Sequence, residues 1–369
     1  MDSNPIEDTV LCRRNESVLE EPRVSIIILN WNGWADTTEC LKSLNGIDYN
    51  NYHIIIVDNN SEDNSLQRIK KYAEEVLSSP GLPVKILEYS EAEAESGGGR
   101  EGEIERYPSN KRLILVRNSE NYGFAGGNNV GMKYALKVLD PKYVLLLNSD
   151  TVVCPSFLRD LVEFSEGDRK IGSAQPLLLK PGGDIIDSLG HEALLTGVRD
   201  KAIGTRYVEG SLKDAVEIFG PCAAAALYRS NVLKDAGLFD ESFFIISEDV
   251  DLSWRARLKG YSSFLVPWSV VYHKRGLSGP WFPGKKTPIR VNYSNFKNWC
   301  LIALRYYPFY AVYLIPRLFM RNFFRCTYYA WKLGMIQETL RQFLGSLRIR
   351  VKLRGNPHLK EIQSKWLLT

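Results

Sequence analysis

Nothing in this chain of 369 residues is long and apolar enough to span a membrane. A spanning helix needs about 18 or more consecutive apolar residues, and the longest candidate, Tyr306 to Pro316, is short and holds two prolines. Cysteine is sparse too: Cys12, Cys40, Cys154, Cys222, Cys300 and Cys326 are scattered, with no CxxC pair and no short Cys/His spacing. That argues against a disulfide framework or a locally spaced zinc site, and reduced thiols in a cytoplasmic protein are the simpler expectation. The first residues lack both the basic start and the apolar core of a signal peptide, so 1–22 is expected to be a loose leader. Net positive charge is missing from most of the chain and gathered at its end, where 12 Lys or Arg face 2 Asp or Glu from Leu301 onward. No nucleic-acid-binding module accompanies it, so no nucleic-acid partner is expected.

What is present reads first as strands. Val144 to Leu147 run without a break into Asn148, Ser149 and Asp150, and an apolar run that stops at turn-forming residues predicts a strand buried on both faces. Asp150 then emerges at the carboxyl end, where ligands of open α/β sheets sit. A carboxylate there suits Mg²⁺ or Mn²⁺; it would equally suit the cap of a helix beginning near Pro155. Val24 to Leu29 and Tyr52 to Val57 predict strands ending at Asn30 and Asp58, each followed by a helix, about 36–44 and 65–77. Further strands are expected at 84–87 and 113–116. This alternation predicts an α/β fold with a mostly parallel, Rossmann-like sheet flanked by helices. Between those last two strands, 90–110 is acidic and glycine-rich with few apolar side chains, which predicts a flexible surface insertion.

Gly126 and Gly127 stand before a helix expected from Val130, where backbone can approach a phosphate or sugar, although turns use glycine as often for conformation alone. Ile171 to Lys180 and Ile218 to Tyr228 are expected strands, while the stretch between them through Gly210 has no clear pattern. Glu248, Asp249 and Asp251 crowd the first turn of a helix, where the dipole stabilises carboxylates; three within four positions exceed what capping requires. Two short strands, 261–266 and 268–272, lead to His273.

In this order the motifs resemble the family 2 inverting glycosyltransferases with a GT-A fold, nearest their rhamnosyltransferase-like branch. The strand end at Asn30, Val57-Asp58-Asn59, Asn121-Tyr-Gly-Phe-Ala-Gly-Gly-Asn128, Asn148-Ser-Asp150 and Glu248-Asp249 carry the likeness, over about 24–278. It implies that Asn30 and Asp58 line the nucleotide pocket and that Gly127, Asn128 and Asn148 contact the donor. Asp150 and His273 would hold Mg²⁺ or Mn²⁺ on its diphosphate. Asp249 would be the general base, with Glu248 its motif neighbour. Asn148 stands where the family's metal motif usually has a carboxylate, and an amide binds a dication less strongly. The implied donor is a nucleotide sugar such as dTDP-rhamnose, with galactofuranose or an N-acetylhexosamine as alternatives. A sugar nucleotidyltransferase would carry a basic residue after the first strand, where Asn30-Trp-Asn-Gly33 stands, and a degenerate sugar-binding scaffold would be expected to lack Asp150 or Asp249.

The glycosyltransferase domain is thus expected over 23–292, with a helical extension over 293–369 broken at Pro308 and Pro316. There Arg305, Arg317, Arg321, Arg325 and Lys332 interleave with large apolar groups, a composition suited to an anionic membrane surface or to packing on the core. Localisation at the cytoplasmic face of the membrane, beside a glycan or lipid-linked acceptor, follows as the expectation.

Overall fold

A computed structural model describes residues 21–79, 81–194, 197–275, 288–308 and 316–367, so the expected leader lies almost wholly outside the described residues. The first half runs β1 (Val24–Asn30), α1 (Trp34–Leu44), β2 (Tyr52–Asp58), α2 (Ser65–Tyr72), β3 (Lys85–Ser90), α3 (Glu91–Ser96), β4 (Arg112–Arg117), α4 (Gly123–Tyr134), β5 (Tyr143–Leu147), β6 (Thr151–Val153) and α5 (Phe157–Glu166). The second half adds β7 (Ile171–Leu179), β8 (Ile186–Ser188), β9 (His191–Leu194), β10 (Gly197–Asp200), β11 (Val216–Ile218), β12 (Ala225–Arg229), α6 (Ser230–Ala236), α7 (Glu248–Leu258) and β13 (Ser262–His273). Helices α8 (Ile289–Tyr306), α9 (Pro316–Lys332), α10 (Ile336–Leu353) and α11 (Pro357–Ile362) complete the chain.

Eleven strands form one mixed sheet in the order β11-β13-β7-β12-β5-β1-β2-β4-β3, with β6 on β13 and β8 on β7. From β5 to β3 all neighbours are parallel, whereas β12 is antiparallel to both β5 and β7. Every residue of β5 is buried. Side chains alternate across a strand, so Leu145 and Leu147 join one apolar cluster with Leu41 and Phe157, while Val144 and Leu146 join another with Val130 and Tyr228. Asp150 does not cap α5, whose first turn follows Ser156.

Three expectations change. Helix α4 begins at Gly123, so Gly126 and Gly127 lie inside it. A Cβ on Gly127 would come within 2.5 Å of Leu29, and one on Gly131 within 2.8 Å of Ile27; these glycines let α4 lie directly on β1. The stretch 90–110 is not a loose loop. Ser90 and Glu93 close a capping box on α3, Glu101 accepts from the hydroxyls of Tyr89 (3.0 Å) and Tyr134 (2.6 Å), and Ile104 is fully buried. Two apolar anchors, Ala94 and Ile104, and a satisfied carboxylate suffice to dock a segment whose composition reads as solvated. Finally, the two short strands before His273 are one, β13, with a register shift between Val266 and Val270 around Pro267. A smaller change concerns the extension, because α8 starts at Ile289, before the expected boundary at 292.

Candidate active site

Residues distant in sequence converge on one cavity of about 730 Å³, whose wall includes Asn148, Asp150, Glu248, Asp249 and His273. β5 brings Asn148 and Asp150 to its carboxyl end. The antiparallel pairing of β6 with β13 then sets His273 opposite Thr151, and the Lys274 N–H donates to the Asp150 carbonyl at 3.0 Å. His273 Nε2 thereby lies 3.2 Å from Asp150 Oδ1 and 3.4 Å from the Asn148 amide nitrogen.

The other imidazole nitrogen, Nδ1, meets Asp187 Oδ2 at 2.7 Å. A carboxylate behind a histidine fixes its ring and leaves Nε2 for a metal. Burial alone would lower the His273 pKa, but its contacts with Asp150 and Asp187 outweigh this and raise it. A carboxylate and an imidazole with a second carboxylate behind it, beside the Asn148 side chain, are donors that fit Mn²⁺ or Mg²⁺.

Into the same cavity α7 presents Asp249 from its first turn. The Asp249 carboxylate accepts from the Ala223 N–H at 3.0 Å and the Val250 N–H at 2.8 Å, and the wall segment Cys222 to Ala224 comes from the stretch expected as one strand but divided between β11 and β12. Glu248 is buried, and one carboxyl oxygen has no hydrogen-bond partner among the described residues. Burial first, then the Asp249 charge beside it, push the Glu248 pKa well above the ordinary value, which favours its neutral form. Such a group opposes folding more as pH climbs past the unfolded-state carboxyl pKa, because the unfolded chain then ionises while the folded one does not. Glu248→Gln is therefore expected to flatten the loss of stability between acidic and neutral pH; thermal melts of both proteins across that range check it, and parallel curves would count against a neutral Glu248.

Between the two halves stand residues the sequence did not single out. Asp187 also pairs with Lys180 (2.8 Å) and Arg275 (3.3 Å). Arg275 reaches Asp200 at 2.7 Å, and His191 Nε2 lies 3.9 Å from Asp200 and 3.5 Å from Asp249. A line of charged and polar groups thus runs from Asp150 to Asp249. His191, Cys222 and Asp249 place ligand-type atoms within 4.8 Å of one another, a second group able to hold a metal ion. Asp187, His191 and Asp200 come from β8, β9 and β10, short elements without a local periodicity to mark them, and Arg275 follows the end of β13.

Asn30 and Asp58 are register partners on β1 and β2, joined at 2.8 Å and further tied to Ser61 and Thr37. They sit on the same carboxyl edge but outside the residues lining the cavity, beside Trp31, which is 57% exposed. Asn128 is buried in α4 with its amide on the Phe124 carbonyl at 2.9 Å. Gly127 faces Leu29 and Asn59. Asp251, two residues beyond the candidate base, points away and binds Arg255, Arg305 and Tyr306 at 2.7–2.8 Å.

Known proteins resemble this chain in sequence and in fold. Residues 143–344 match Glycosyl transferase family group 2, and 25–93 match Glycosyl transferase family 2. The chain is 25% identical over 155 residues to the low-salt glycan biosynthesis hexosyltransferase Agl10 of Haloferax volcanii, covering 42% of this chain and 50% of that one. It is 25% identical over 197 residues to the N-acetylglucosaminyl-diphospho-decaprenol L-rhamnosyltransferase of Mycobacterium tuberculosis, covering 49% and 64%. The chain thus spans roughly half to two thirds of the curated relatives it matches. Among solved structures it resembles GalNAc-T7 with UDP, GalNAc and Mn²⁺, with a TM-score of 0.54 and 14% identity over 94% of this chain and 58% of that one. TarS 1-349 of S. aureus with UDP-GlcNAc gives 0.50 and 17% over 93% and 88%.

Proposed function

The chain belongs to glycosyl transferase family group 2, and from that membership we propose that it moves a sugar from a nucleoside diphosphate to a hydroxyl with inversion at C1. The observation that supports this best is one cavity lined by Asp150 and His273 together with Asp249. An inverting transfer needs stabilisation of the leaving diphosphate on one face of the sugar and a base on the opposite face.

The acceptor hydroxyl attacks C1 as the bond from C1 to the diphosphate oxygen breaks. Asp249 takes the hydroxyl proton, held in place by the Ala223 and Val250 N–H groups. The leaving diphosphate carries away the bond pair. Asp150 and His273, with Asn148 beside them, would hold the divalent cation, with Asp187 fixing the imidazole. That cation would neutralise charge growing on the diphosphate. Glu248 offers its unpartnered carboxyl oxygen to a sugar hydroxyl. Asn30 and Asp58, on the neighbouring strand ends, would serve the nucleoside, and Asn128 and Gly127 would back the donor from α4.

Rhamnose from dTDP-rhamnose is the proposed donor, and the likeness to a rhamnosyltransferase supports it. For the acceptor we infer a glycan, carried on a lipid at the cytoplasmic face of the membrane. A screen of nucleotide sugars for metal-dependent thermal stabilisation tests the donor side, since a bound ligand raises stability by mass action. The expected result is a rise in melting temperature with dTDP-rhamnose and Mn²⁺ together that Asp150→Ala abolishes. A rise of equal size in Asp150→Ala would remove Asp150 from the metal site.

A further inference from the structure

Helices α9 and α10 each carry two apolar faces, although a helix that only closes a core needs one. Their inner faces, including Phe319, Phe323, Cys326 and Ala330 of α9 and Phe343 of α10, join the cluster that contains Leu301 and Ile302 of α8. Their outer faces are bare. On α9, Met320, Phe324, Tyr328 and Trp331 are exposed, Trp331 to 70% and Phe324 to 62%; on α10, Leu340, Leu344, Leu347 and Val351 are exposed, Leu344 to 58%. At about 100° per residue, each set falls within an arc of roughly 80°. Eight of the sixteen exposed large hydrophobics among the described residues thus lie on these two helices.

Cations flank both stripes. Arg317, Arg321, Arg325 and Lys332 on α9, and Arg341, Arg348 and Lys352 on α10, are exposed. The two helices contain one acidic residue, Glu338, and Arg341 already engages it at 2.9 Å. None of the described helices is long and apolar enough to cross a membrane. We propose that the outer faces of α9 and α10 form a docking surface for an anionic lipid bilayer, the apolar stripes entering the interface and the flanking cations meeting lipid phosphates. A bilayer surface supplies both an apolar phase and negative charge at one boundary. A second copy of the chain would bring the same cations against these and repel them.

The surface connects to the cavity through α8, on which both helices pack. Asn295 of α8 lines the cavity, and the Asn298 amide binds the carbonyls of Phe243, Ile245 and Ile246 just before α7. Presentation of a lipid-borne acceptor to that cavity rests on the function proposed above; the lipid surface itself does not.

The full chain should co-sediment with vesicles of phosphatidylglycerol and phosphatidylcholine at low salt, more weakly at high salt and on phosphatidylcholine alone. Tryptophan fluorescence should shift to the blue on binding, and Trp331→Phe should remove most of the shift. The double variant Trp331→Glu, Leu344→Glu should bind about tenfold or more weakly while keeping its metal-dependent thermal shift with nucleotide. That retained shift shows that the variant is folded. Absence of wild-type binding, or equal binding by the double variant, would overturn the proposal. A wild-type dimer that the double variant turns into a monomer would assign the surface to a second copy instead. Since vesicle binding is read without sugar transfer, its failure leaves the enzymatic reading standing, and the reverse also holds.

Discussion

Asp249→Asn should lower transfer by about 10²–10⁴-fold, the range typical for loss of a general base, and leave nucleotide affinity nearly unchanged. The amide has the shape of the carboxylate and keeps an oxygen for the Ala223 N–H at 3.0 Å, so the wall of the cavity should stand. What it lacks is basicity toward the acceptor hydroxyl. Titration calorimetry with dTDP and Mn²⁺ separates this variant from Asp150→Ala, which should lose both affinity and turnover. Equal loss of binding in the two would sink the division of roles.

The largest effect on stability is expected two residues further along the same helix. Asp251 is fully buried. Its carboxylate pairs with Arg255 at 2.7 Å and Arg305 at 2.7 Å and accepts from the Tyr306 hydroxyl at 2.8 Å. Arg305 is itself buried and keeps only Asp240, at 2.8 Å, as a second carboxylate. Removing one partner of a buried pair leaves the other charge poorly compensated, at a cost of about 3–5 kcal/mol. Asp251→Ala should therefore shift the midpoint of chemical unfolding strongly, and the fluorescence of the aromatic residues near α8 should report the change. Trp254 stacks on Tyr306 with centroids 5.0 Å apart, which makes it a local probe. A stability change below about 1 kcal/mol would mean that water reaches the site and solvates Arg305. Asp251→Leu with Arg305→Met offers a second test, since apolar replacement of a whole buried pair is often neutral.

Asp249 and Asp251 stand in one helical turn with equal composition around them, yet one faces the cavity and the other a helix from the far end of the chain. In sequence both were carboxylates at a helix start; their number hinted that more than capping was involved, and the family resemblance alone set Asp249 apart as the base. The 100° step per residue separates their directions. What Asp251 meets was set by Arg305 and Tyr306 of α8, more than fifty positions away. The capping box at Ser90 and Glu93 was different, because its four-residue spacing was there to be read. It was masked by the acidic and glycine-rich composition around it, and by an apolar anchor as small as Ala94 and Ile104.

The strands β1, β2, β4 and β5, the helices α1 and α2 and the carboxyl-end positions of Asn30, Asp58 and Asp150 followed from the sequence alone, the strands because burial on both faces writes itself as a continuous apolar run. The glycines of α4 were visible as residues but not as packing, since their role depends on Leu29 and Ile27 lying beneath. Asp187, His191, Asp200 and Arg275 were decided by tertiary structure only. They belong to strands of three or four residues or to strand ends, too short to carry a period, and they meet through antiparallel pairings whose register no local pattern encodes. The same holds for the outer stripe of α9 and α10. A basic and aromatic composition was legible from residue 293 onward, but which apolar side chains turn inward and which remain bare was settled by the packing of both helices on α8.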